Sequence, residues 1–181
     1  MASPVGHTLG AYAVWIALRP EILSDPRKNR IAAGSAFIFG NLADADFAVA
    51  HFTANPVWGH HYFSHSVFFA LAFALICFLL LRGAAHRNSI LMGLTIGCAY
   101  GAHLLLDFFT ADGSPPFGIP LLWPLSDHHF LFSPSIFYAT HRGSLQALFS
   151  VHNLMAMLIE LALLFPIVLL LFFWRRKRGR G

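Results

Sequence analysis

The stretch ILMGLTIGCAYGAHLLLDFF, residues 90–109, decides the fold. A helix rises about 1.5 Å per residue, so this run covers about 30 Å, the thickness of a bilayer's hydrocarbon core. It is apolar except at two telling positions. His103 and Asp107 stand four residues apart, one above the other on one helix face. A carboxylate in such surroundings is costly unless something neutralises it. The pair offers a nitrogen and an oxygen to one point in space, where a divalent metal would compensate the buried charge.

The rest of the chain fits a membrane setting. Of its 181 residues 57% are hydrophobic and 11% charged, and the mean hydropathy is +0.63. Soluble domains carry about 25% charged residues. Besides residues 90–109, residues 66–81 and 154–174 have the length and apolarity of spanning helices. Residues 31–52 are also apolar but carry Asn41, Asp44 and Asp46, and residues 8–18 are short for a span. Pro166 predicts a kink in the last helix. Residues 111–140, rich in Pro, Gly and aromatics, predict a long surface loop. The expected fold is therefore all-α: a polytopic membrane bundle of four to five transmembrane helices with a long outer-face loop. Residues 1–174 form one membrane-embedded domain, and residues 175–181 form a basic cytoplasmic tail. The first residues lack the basic start of a cleavable signal peptide. Cys77 and Cys98 lie in apolar runs, read as small core residues and not as a disulfide framework.

Charge sets the expected orientation. With the tail inside, the turns holding Arg19, Arg27, Lys28 and Arg30, and Arg82 and Arg87, fall inside as well. Arg142 is then the lone basic residue outside. This predicts an N-out, C-in protein, and the basic tail is an orientation anchor, not a nucleic-acid contact. The histidines sort the opposite way: apart from His86, all fall toward the outer face. Asp44, Asp46 and Asp107 sit toward the same face.

Histidine and carboxylate donors suit zinc ahead of manganese or iron, with one or two ions. Four segments can contribute: His7; Asp44 and Asp46; His60, His61 and His65; and His103 with Asp107. On a regular helix Asp44 and Asp46 are about 200° apart, so one binds while the other orients a ligand or acts as base. His61 shares a helix face with His65, whereas His60 binds only from a preceding loop. His51, His86, His128, His129 and His141 read as interfacial residues, and Asp112 and Asp127 as solvated turn residues. Glu160, inside the last span, either joins the site or pairs with a polar group.

In order, Gly6-His7, Ala43-Asp44-Ala45-Asp46, His60-His61-Tyr62-Phe63-Ser64-His65-Ser66, His103-Leu-Leu-Leu-Asp107, Gly113 and Leu122-Trp123-Pro124-Leu125 resemble the motifs of a bacterial inner-membrane family of metal-dependent hydrolases. That family includes a LexA-regulated membrane-bound hydrolase. The chain departs from the family pattern where Ala43 replaces a proline and His61-Tyr62 replaces Arg-Gly. The resemblance implies a location in the bacterial inner membrane and favours His60 over His61 as the ligand. The order of donors is also similar to the metal-ligand series of zinc-dependent phospholipases C, which implies phosphoester chemistry.

The expectation is a membrane-bound metal-dependent hydrolase acting on phosphoesters of lipid or lipid-linked substrates with a metal-activated water at the outer face. His7, Asp46, His60, His65, His103 and Asp107 are the expected metal ligands, and Asp44 and Asp46 the expected catalytic carboxylates. The expected partners are the bilayer and an amphiphilic substrate. The alternative is a non-enzymatic metal-binding membrane protein: a transporter, sensor or pseudo-enzyme. Haem ligation does not need the intramembrane aspartates.

Overall fold

A computed structural model describes residues 1–47, 52, 62–84, 88–113, 115–141 and 144–178. Five helices dominate them: α1 (Pro4–Leu18), α2 (Pro26–Gly40), α3 (Val67–Gly83), α4 (Ser89–Phe108) and α5 (Val151–Arg178). No strand forms among the described residues. Two isolated bridges, Thr110 with Phe137 and Ile119 with Phe130, tie the segment after α4 to itself. This is the long non-helical segment expected from its proline and glycine content.

Local signals explain the helix starts. Pro4 and Pro26 occupy first-turn positions, where a missing N–H costs nothing. Ser3, Asp25 and Ser66 cap the three helices with side-chain oxygens that accept backbone N–H groups. The apolar stretch over residues 31–52 is not one helix. α2 stops at Gly40 and a short 3-10 turn, Ala43–Ala45, follows. α5 runs on through Pro166.

The helix read as too short to span is the centre of the bundle. α1 packs against α2, α4 and α5, while α3 packs on α4. Its Ala11, Trp15 and Ile16 join Ala32 and Ala36 of α2, Ile96 and Ala99 of α4 and Val168 of α5 in one core cluster. Small residues let the α3–α4 pair close: a Cβ on Gly97 would meet that of Ala74 at 2.5 Å.

The outward surface is apolar. Leu71, Leu75, Leu79 and Leu80 of α3 and Leu163, Ile167, Leu170 and Phe173 of α5 are exposed. A water-soluble protein rarely leaves so much large apolar surface uncovered, whereas acyl chains cover it at no cost. α4 and α5 are each long and apolar enough to cross a bilayer. Both cysteines are free, and Cys98 is exposed on this surface and is not a core residue.

Candidate metal centre

Two ends of the bundle carry its polar groups, and one holds a closed cluster. α4 supplies the first donors. His103 Nε2 lies 3.1 Å from Asp107 Oδ2. The other ring nitrogen sets the orientation: Nδ1–H donates to the Gly40 carbonyl at 2.8 Å. Nε2 is left facing Asp107. Gly40 is required at this point. A Cβ there would stand 2.7 Å from Ala11 Cβ and 2.8 Å from the His7 carbonyl oxygen. The absence of a side chain lets the end of α2 touch α1 and present its carbonyl to His103.

α1 brings His7. Its Nε2 lies 3.5 Å from Asp107 Oδ1, and its ring stacks on His103 with centroids 3.6 Å apart. The segment ahead of α1 is also fixed. The Ala2 N–H donates to Asp107 Oδ1 at 2.9 Å. The Ser3 N–H donates to Glu160 Oε1 at 2.7 Å, and the Ser3 hydroxyl donates to Glu160 Oε2. Glu160 therefore pairs with a polar group and anchors the start of α1, one step removed from the cluster.

Two 3-10 turns complete the site. Asp44, in Ala43–Ala45, puts Oδ1 3.7 Å from His65 Nε2 and 3.6 Å from His103 Nε2. His65, in Phe63–His65, puts Nε2 3.2 Å from His103 Nε2 and 3.4 Å from Asp107 Oδ2. Asp46 stands behind His65. Its Oδ2 is 3.1 Å from Nδ1 and accepts the Ser64 hydroxyl at 2.5 Å. The two carboxylates face different ways, Asp44 toward His65 Nε2 and His103 Nε2 and Asp46 toward His65 Nδ1. Asp46 contacts the nitrogen of His65 that points away from the centre. The Tyr100 hydroxyl donates to the Ser64 carbonyl at 2.7 Å and steadies this turn.

Burial opposes a charge on His65, which lies outside the helices, but hydrogen bonds with Asp107, Asp44 and Asp46 outweigh it. Its pKa stands well above the ordinary histidine value. Three carboxylates in one buried site call for a cation, a proton on His65 or a metal.

The spacing fits a metal. Donors about 2.0–2.1 Å from a tetrahedral zinc stand about 3.3–3.4 Å from one another. The separations given above among His65 Nε2, His103 Nε2, Asp107 Oδ2 and Asp44 Oδ1 run from 3.1 to 3.7 Å. A donor atom of His7 lies with those of Asp44, His103 and Asp107 in one group within 4.8 Å. Five of the expected site residues, His7, Asp44, His65, His103 and Asp107, are brought together, with Asp46 in support. His60 lies outside the described residues, as do His51, His61, His86 and Arg142.

Other expectations resolve elsewhere. His152 Nε2 meets the Ala139 carbonyl at 2.7 Å and its ring stacks on His141. His128 is exposed, and His129 is half-buried with Nδ1 at 3.0 Å from the Asp127 carbonyl. Asp112 lies in the segment after α4, where its Oδ2 accepts the Gly118 N–H at 2.9 Å. The sequence did not point to Ala2, Ser3 or the Gly40 carbonyl, because backbone donors and acceptors leave no trace in residue identity. Tyr100 was in principle findable, three residues before His103 on the same helix face.

The sequence profile of the YdjM inner membrane protein family matches residues 1–179. The inner membrane protein YbcI of Escherichia coli (strain K12) is 34% identical over 105 residues, which cover 55% of this chain and 57% of that protein. The chain thus matches little more than half the length of that relative. No solved structure matches the chain.

Proposed function

The chain belongs to the YdjM inner membrane protein family, and on that premise we propose that it is a membrane-bound metal-dependent hydrolase of phosphoesters. The observation that carries the reading is the close set of donors from Asp44, His65, His103 and Asp107, with side chains of His65, His103 and Asp107 fully buried. These four would hold the ion, with His7 beside them and Asp46 fixing His65.

A divalent cation supplies a lowered pKa for water and charge stabilisation on a phosphoryl oxygen. The protein's own groups do the rest. Asp44, with a side chain 16% exposed where His65 is wholly enclosed, faces the approach to the site. With Oδ1 turned toward the ion, its second carboxylate oxygen would take the proton that the attacking water loses. The water oxygen adds to phosphorus, the bond from phosphorus to the alcohol oxygen breaks, and the proton returns to that alcohol. Asp46 and the Gly40 carbonyl hold the two imidazoles in the tautomer that turns Nε2 inward. The supporting topology is N-out and C-in, with the cluster at the outer face of a bundle of four to five spans. Arg19 and Arg175 at the opposite end of α1 support it.

The test is metal analysis of the purified protein and of Asp107→Ala, paired with phosphodiesterase and lipid-phosphoester assays. The reading expects about one or two zinc ions per chain, loss of metal in the variant, and turnover that falls with it. Stoichiometric metal without turnover of any phosphoester would favour a sensor or pseudo-enzyme. A protein without stoichiometric metal overturns the site.

A further inference from the structure

The cluster is nearly sealed. Side chains of His7, His65, His103 and Asp107 have no exposed surface, and Asp44 has some. Asp44 lines a cleft of about 710 Å³ between the start of α1, the Ala43–Ala45 turn and the first turns of α5. That volume lies within the range of about 300–1,000 Å³ typical of small-molecule sites.

Beyond Asp44 the wall is mainly hydrocarbon: Val5, Phe47, Phe149, Leu154 and Met157. Phe47, Phe149 and Leu154 are at least half exposed, so the cleft is open on the apolar flank of the bundle. One end of the cleft therefore offers a carboxylate in contact with buried imidazoles, and the other offers a hydrocarbon surface continuous with the membrane-facing side. A wholly polar substrate would leave that wall wet.

We propose that the cleft holds one hydrocarbon chain of an amphiphilic phosphoester, with the phosphoryl head at Asp44. This rests on the hydrolase reading for the identity of the head and adds where the chain lies. It also makes chain placement depend on metal. Asp44 repels a phosphate anion until a cation in the cluster offsets its charge. Chain and head are joined, so an ion that retains the head retains the chain in the cleft.

The proposal is tested with photo-cross-linking in phosphatidylcholine nanodiscs. Benzoylphenylalanine is placed at Met157 in the cleft and, for comparison, at Leu75, which faces outward from α3. The probe is lysophosphatidylglycerol with a radiolabelled chain, in zinc and then in chelator. Labelling at position 157 is expected to rise about tenfold with zinc and at position 75 to stay unchanged. Excess palmitic acid, a chain without the phosphoester, is expected to compete poorly. Equal, zinc-independent labelling at both positions overturns the proposal. Turnover of the lipid with that flat labelling overturns the cleft and spares the hydrolase reading. Zinc-dependent labelling without cleavage of the probe leaves the chain site standing and overturns the hydrolase reading for this lipid.

Discussion

The two ends of α1 solve the same problem in opposite ways. At its first turns, His7 is buried beside Asp107 and stacked on His103, with Asp44 and His65 converging from two other segments. At its last turn, Arg19 pairs with Glu21 two residues away and reaches the Met92 sulfur at 3.6 Å. Arg175 there donates to the Ala17 carbonyl. The second end settles its charges with near neighbours, backbone and a half-exposed carboxylate. The first gathers carboxylates and imidazoles from distant segments into a largely buried space that only Asp44 opens to the cleft. Such a cluster is expensive without a ligand, whereas the Arg19 pair is not.

That contrast is broken most severely by His103→Ala. The substitution removes a donor and leaves the Gly40 carbonyl without its imidazole partner. Zinc affinity is expected to fall by more than the roughly 100-fold that supporting residues account for. Competition titration with a chelating dye reads this directly. An affinity within about tenfold of the wild type would show that the cluster does not bind as a unit. Asp46→Asn comes next. The amide keeps the shape behind His65 and weakens its hold on Nδ1, so the loss expected is about 10- to 100-fold. A loss as large as that of His103→Ala would make Asp46 a ligand.

The contrast was partly visible in the sequence. Residues 90–109 carried both the span and its two ionisable groups, so α4 and the His103–Asp107 pair were legible from the periodicity alone. The arginines and histidines separated by sequence position, and among the described residues Arg19 and Arg175 lie at the last turn of α1 while His7, His65 and His103 meet at its first turns. Two things were hidden. α1 is a 15-residue helix, short for a span, and its central place follows from burial on three sides, which length cannot convey. Asp44 and Asp46 sat in an apolar run that continuous hydropathy extends into one helix. At the break Gly40 lies against Ala11 and the His7 carbonyl, a tertiary contact that hydropathy does not convey. Glu160 was left open for the same reason, since its partners, the Ser3 N–H and hydroxyl, lie 157 residues away.

Gly40→Ala sharpens the comparison by acting on packing with no change of charge. The added methyl meets Ala11 and the His7 carbonyl, and such overpacking costs about 1–3 kcal/mol. The end of α2 must shift, and with it the carbonyl that orients His103. Both thermal stability and zinc affinity are expected to fall together. A lower melting temperature with unchanged affinity would mean that His103 keeps its tautomer without Gly40.

The smallest effect belongs to the other end. In Arg19→Gln the partner Glu21 is 45% exposed, so water takes over most of what the pair provides. An ion pair of this kind contributes about 0–1 kcal/mol. Arg19 itself is largely buried, and a glutamine retains much of its apolar stem and a donor for Met92. Zinc affinity should stay within about twofold of the wild type, because no cluster residue touches Arg19. The melting temperature should drop by a few degrees at most. A clear loss of zinc would mean that α1 transmits strain along its whole length to His7, and the two ends would then be one device.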